Sequence, residues 1–469
     1  MQNNPDQFSS KIGFLLAAAG SAVGIGNLVA FPVAAAKNGG GAFLLLYIFF
    51  VVTICLPLIL AELSLGRATG KNPLGAFKQV SKNNKAWAFA GALSLTTPFM
   101  IAVFYSVLTV WLLGYFIQAL FGQLDRLATP VYFGGFITSP WIFAYLAGVI
   151  GIVVLVLKGG VRDGIEKASR LLMPLLFIML IGLAVFVLTL PNASAGLKFY
   201  FTPQLDRITW SVVNGALSQA FFSLSLGMGI LITYGSYLRK QDNLVQSAKM
   251  LATTDTGVAV VAGLMTLPAI FAIYPDTNPS ELSDSSVGLI FSFFPNIFMA
   301  MAPKFGYLLS SFIAATFFLL AFVAAITSLV SIIEVPVAAL KAQGQKTRNK
   351  ALGLVIAGVL VGAVLSALSF GQVKWLSEFA FYSGANKSLF DVLVDVFYDT
   401  ILPFNGLLIC LLVAWQWKRH NMAAEMLASN ANGTSGWLER YTHFAIAFWI
   451  PAILATVFVI TVINKFFSG

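Results

Sequence analysis

The chain has 469 residues, 58% of them hydrophobic and only 10% charged, with a mean hydropathy of +0.87. That balance excludes a water-soluble globular domain. The formal net charge of +10 is spread so as to set topology and gives no reason to expect nucleic-acid binding.

Apolar stretches long enough to cross ~30 Å of hydrocarbon recur from end to end. About eleven are predicted: 11–36, 42–66, 87–120, 140–157, 167–190, 210–236, 243–274, 305–340, 351–370, 388–417 and 438–464. The N-terminal residues lack the pattern of a cleaved signal, so the first segment is expected to stay. With the N-terminus cytoplasmic, 20 of the 28 Lys and Arg residues fall on the inner side. This asymmetry predicts a cytoplasmic N-terminus and, with an odd helix count, an external C-terminus. Cys55 and Cys410 lie inside apolar spans and form no disulfide or metal pattern.

The first segment carries Gly20-Ser21-Ala22-Val23-Gly24-Ile25-Gly26-Asn27 at mid-span. Gly24 and Gly26 each lower helix preference by about 1 kcal/mol. Backbone opened inside a bilayer must be satisfied within the protein or line a cavity. A deliberate break is therefore predicted, with free carbonyls and amides as ligands. Glu62, in the second segment, is either a helix-end group at the cytosol or a buried acceptor for irregular backbone. Tyr105, in the third, is either interhelical glue or part of a site. Residues 122–139 are expected to form an external loop, and Pro174 to interrupt the fifth segment.

The sixth segment repeats the anomaly with Ser223-Leu224-Ser225-Leu226-Gly227-Met228-Gly229. Paired interrupted helices at matching places in two halves point to a secondary transporter built from repeats. Two inverted repeats are predicted, 1–200 and 201–420, followed by a linker and a last helix over 421–469. Asp255 is costly in lipid, at roughly 2.5–3.5 kcal/mol; it is either compensated by a bound cation or wetted near the helix start. Thr327 and Ser328 either serve a site or bond back to their own helix. Residues 275–304 read as an external segment over a vestibule, and 429–436 as a flexible linker. Asp391 and Asp395 open the tenth segment, where acids complement a helix dipole.

Together these anomalies place many hard oxygen donors near mid-bilayer, without matching cations. Such a set suits a small alkali cation. The amino ends of broken half-helices favour a carboxylate. Ile101, Phe104, Phe222, Met228 and Ile332 are candidates for apolar walls. The combination predicts a Na+-driven carrier of an α-amino acid.

The motifs in the first and sixth segments, together with Phe31-Pro32 and Asn38-Gly39-Gly40-Gly41-Ala42-Phe43, resemble the bacterial branch of the neurotransmitter:sodium symporters. The resemblance implies an all-α polytopic protein with a 5+5 inverted repeat and discontinuous helices 1 and 6, the leucine-transporter-like fold. It implies two Na+ sites. The first would use Ala22, Asn27, Ser223 and Asp255 with the substrate carboxylate; the second Gly20, Val23, Ala324, Thr327 and Ser328. Tyr105 and the amides of Ile25 and Gly26 would hold the carboxylate. The carbonyls of Ser21, Ala22 and Phe222 and the Ser225 region would meet the amine, with Ile101, Met228, Ser328 and Ile332 nearby. Phe222 would close the pocket, with Asp395 in the outer gate.

Three departures stand out. Asp255 replaces the family's usual asparagine, and Ala259 an acid or hydroxyl near the chloride site formed around Tyr47, Gln219 and Ser223. Fixed charge on Asp255 is expected to make chloride dispensable. Ala30 stands at the outer-gate arginine, leaving Asp395 without an obvious mate; a cationic substrate or a different gate could answer this. The inner-gate pair falls on Pro5 and about Gln343, leaving closure to contacts such as Phe8 and Tyr237. The reading is a Na+-coupled importer of an amino acid, with an apolar side chain, in a bacterial inner membrane. Alternatives are a carrier of a related amine or non-α amino acid, or a nontransporting sensor. No catalytic constellation is present, and no oligomer is required.

Overall fold

The computed structural model describes residues 11–129, 131–273, 275, 291, 294–342, 347–428 and 436–467. The chain opens with two half-length helices, α1 (Lys11–Ala22) and α2 (Phe31–Lys37). Then follow α3 (Gly41–Thr69), α4 (Lys85–Leu120), α5 (Trp141–Lys158) and α6 (Gly160–Leu188). A second half-length pair is α7 (Trp210–Ser223) and α8 (Ile230–Ser236). The remainder is α9 (Leu244–Ile273), α10 (Tyr307–Ala342), α11 (Arg348–Leu368), α12 (Leu389–Leu427) and α13 (Gly436–Phe467). Among the described residues, nine helices are long and apolar enough to cross a membrane, and the bent pair α1/α2 makes a tenth. The expected sixth segment is the one divided into α7 and α8.

Burial sorts these helices. In α10, 89% of the apolar stretch is covered by protein, against 33% in α13. A helix apolar all round belongs in the centre of a bundle, and one facing lipid need only be apolar outward. α10 packs chiefly along α4 and also touches α1, α6, α8 and α11. It is the post around which the broken helices are set.

Some sequence expectations change. Pro174 does not interrupt the helix but sits inside a continuous α6; proline is tolerated in membrane-spanning helices where neighbouring groups satisfy the freed carbonyl. Residues 122–139 hold two short helices, Leu124–Leu127 and Tyr132–Ile137. α12 runs on past residue 420, with π-helical turns at Val394–Ile401 and Leu412–Lys418. A short antiparallel hairpin of β1 (Ala380–Tyr382) and β2 (Ala385–Lys387) precedes it. Pro5, Phe8, Gln343, most of 275–293 and the linker 429–435 lie outside the described residues.

Candidate functional site

The first break is a bend of 51° between α1 and α2, with a π-helical turn at Gly26–Ala30. None of its residues has positive φ. The opened backbone is served by side chains. The Gly24 amide donates to Asn27 Oδ1 at 3.1 Å, and the Ile25 amide to the Tyr105 hydroxyl at 3.2 Å. Gln219 Nε2 donates to the Gly26 carbonyl at 2.7 Å. The Ser21 carbonyl receives Ser328 Oγ at 3.1 Å and Ser225 Oγ at 3.3 Å.

The second break uses left-handed backbone. α7 ends with the Ser225 amide on the Phe222 carbonyl (3.0 Å) and the Leu226 amide on the Phe221 carbonyl (3.1 Å). This is a Schellman closure, and its left-handed position is usually glycine. Here it is Ser225, at φ +54°, followed by Gly227 at +74° and Gly229 at +69°. Fully buried Glu62 accepts the Gly227 amide through Oε1 at 2.8 Å, so it is the buried acceptor and not a group in the cytosol. Asn405 Nδ2 donates to the Gly227 carbonyl at 3.1 Å and to Thr97 Oγ1 at 2.9 Å.

Between the breaks, Asp255 is fully buried, which removes the wetted reading. Its carboxylate accepts from Asn27 Nδ2 at 2.7 Å, Ser223 Oγ at 2.8 Å and the Tyr47 hydroxyl at 3.2 Å, all neutral groups. Asn27 Nδ2 also reaches Ser223 Oγ at 2.9 Å. Asn27, Ser223 and Asp255 thus meet in one oxygen-rich cluster, and Ala22 is buried. Thr327 and Ser328 divide the two readings. Thr327 Oγ1 turns back to the Val323 and Ala324 carbonyls at 3.2 and 3.0 Å, while Ser328 crosses to Gly20 and Ser21. Gly20 lies close to Thr327, since a Cβ there would come 3.4 Å from the Thr327 Cβ. Val23 and Ala324 are fully buried.

A cavity of about 140 Å³ adjoins this cluster. Ile25, Phe104, Tyr105 and Phe222 line it, together with Ala30 and with Val29, Leu108, Leu112, Phe390, Val394 and Tyr398, which the sequence did not single out. Ile101, Met228 and Ile332 are not among its walls; all are buried in the packed core. Gly26 is pressed against Phe222, because a Cβ there would meet the Phe222 ring at 2.8 Å. The Phe222 ring meets that of Tyr398 edge-on at 4.3 Å.

The expectation that Asp395 lacks a mate is corrected. Lys465 forms ion pairs with Asp395 and Asp399, and Tyr382 donates to Asp395 Oδ2 at 2.6 Å. At the opposite end, the Tyr237 hydroxyl donates to Glu334 at 2.9 Å, and Arg348 grips the same carboxylate at 2.7 and 3.0 Å.

The model of the sodium:neurotransmitter symporter family matches residues 5–128 and 136–467. The chain belongs to this family. A symporter of the family is a transporter and not an enzyme, and this one is an integral membrane protein whose transport depends on sodium. It is 34% identical to the uncharacterized sodium-dependent transporter YhdH of Bacillus subtilis, over 97% of this chain and 98% of that one. It is 35% identical to an uncharacterized sodium-dependent transporter of Haemophilus influenzae, over 84% of each. The crystal structure of MhsT in complex with L-phenylalanine superposes with a TM-score of 0.84, at 35% identity, covering 97% of this chain and 99% of that one.

Proposed function

We propose that this symporter carries an amino acid with an apolar side chain into the cell, coupled to Na+ at two sites and without need of chloride. The observation that carries the substrate reading is the cavity beside the first break. Its walls are almost wholly hydrocarbon and aromatic, and its polar groups are gathered at the Tyr105 hydroxyl and the neighbouring backbone. Such a site takes an apolar side chain on one side and a zwitterionic head on the other. The similarity to a protein crystallised with L-phenylalanine agrees with it.

Sodium is a co-substrate in this scheme. Asn27, Ser223, Asp255 and the Ala22 carbonyl would hold one ion, with the substrate carboxylate completing its shell. Gly20, Val23, Ala324, Thr327 and Ser328 would hold the other. The support is chemical: a buried carboxylate surrounded by neutral oxygen-bearing groups favours a hard cation. An ion that shares the substrate carboxylate strengthens substrate binding, and the substrate must strengthen ion binding equally. Asp255, held by Tyr47 and Ser223, supplies the negative charge that chloride brings to other members. Two inverted repeats, 1–200 and 201–420, would rock about this site. The arrangement of basic residues supports a cytoplasmic N-terminus in a bacterial inner membrane.

The test is Na+-dependent binding of the twenty amino acids to purified protein, followed by uptake into proteoliposomes. Saturable, Na+-driven accumulation of an apolar amino acid is expected. Preference for amines or β- or γ-amino acids would overturn the substrate reading, and binding without accumulation would make the protein a sensor.

A further inference from the structure

Ala30, where the resemblance to the family implies an outer-gate arginine, lines the cavity and brings no charge. Two acids, Asp395 and Asp399, nevertheless stand at the start of α12, on either side of the cavity-lining Tyr398. Lys465, in the last turn of α13, bridges both. From the side-chain end, Asp395 is further held by Tyr382 at 2.6 Å, and its carbonyl accepts from Thr400 Oγ1 at 2.8 Å. The α13 terminus is itself fastened: Ser383 Oγ donates to the Lys465 carbonyl at 2.6 Å, and Phe466 packs on the Tyr382 ring at 5.1 Å.

We infer that Lys465 supplies the cation of the outer gate, so that α13, a helix outside the inverted repeat, pins the mouth of the cavity shut. The lysine is a positioning residue. It acts through the Asp395–Asp399 face of α12, and so on Val394 and Tyr398, which wall the cavity, and on the Phe222 lid that packs against Tyr398. The turn that carries these residues is π-helical, Val394–Ile401. Wider turns of this kind are common at functional sites and carry one residue more than α-helix in the same rise. The pairs are partly exposed, with Lys465 at 33% and Asp395 at 13% of side-chain surface. This inference rests on the transport reading for its outward direction.

The reporter is Leu112→Cys, a cavity-wall position now 1% exposed, in a chain whose own Cys55 and Cys410 are buried. An impermeant maleimide is applied from outside, in Na+ buffer. Lys465→Gln is expected to raise the labelling rate roughly tenfold, as loss of a charge-assisted contact should. Lys465→Arg should label like the parent. Asp395→Asn should match Lys465→Gln, and the double variant should add little to either. Labelling at the parental rate in Lys465→Gln, or equal rates in the Gln and Arg variants, overturns the gate. Failure of the parent to take up any of the twenty amino acids overturns the substrate reading instead, while the labelling comparison still decides the role of Lys465.

Discussion

The two broken helices solve one problem in different ways. At the α1/α2 break every φ is negative, and the chain bends through a π-helical turn held by side chains. At the α7/α8 break three residues are left-handed, and the backbone itself is buried against other backbone. Glycine shows the contrast. A Cβ on Gly24 would meet the Ser328 and Tyr105 hydroxyls at 2.5 and 2.8 Å, both side-chain atoms and not backbone. A Cβ on Gly227 would meet the Leu402 carbonyl at 2.5 Å, which is backbone. The first break is adjustable, and the second is built in.

Gly227→Ala should therefore do the most damage. A left-handed non-glycine residue costs about 1–2 kcal/mol, and overpacking typically adds about 1–3 kcal/mol. Loss of folded protein in detergent, or a clear drop in thermal stability, is the expected readout; parental stability would erase the distinction between the breaks. Asp255→Asn comes next. Removing the charge should weaken Na+ activation by about tenfold or more, as for a lost charged partner. It should also make uptake depend on chloride, which flux assays with gluconate replacement would measure. Uptake that stays indifferent to chloride would count against the role given to Asp255. Gly24→Ala should leave stability within about 1 kcal/mol while raising the substrate KM several-fold, because it crowds Tyr105 and Ser328. Ser225→Gly should act least: it relieves left-handed strain and should stabilise by up to about 1 kcal/mol. Its small cost in affinity would come from the lost contact to the Ser21 carbonyl.

Much of this was legible in the chain. Glycines beside hydroxyls in an apolar run, twice over, marked both breaks, because a bilayer leaves opened backbone few solutions. The oxygen cluster of Asn27, Ser223 and Asp255 was legible for the same reason. The tethers were not. Asn405 serving Gly227, and Lys465 serving Asp395, join residues far apart in sequence, and no local pattern ties such partners. The cavity walls were read only in part. Ile101, Met228 and Ile332 are apolar like Leu108 and Leu112, and only the rotation of each helix decides which face meets the cavity. The mate of Asp395 is not legible from the inverted repeat, because it comes from the helix beyond it.

Ser328 holds a last consequence. Its hydroxyl lies 3.5 Å from the Gly20 carbonyl and 3.1 Å from that of Ser21, donating toward oxygens of which the first belongs to the second Na+ site proposed above. A hydroxyl is a rotor, able to give a hydrogen in one orientation and a lone pair in another. The same atom can thus stand in for a cation and later coordinate one.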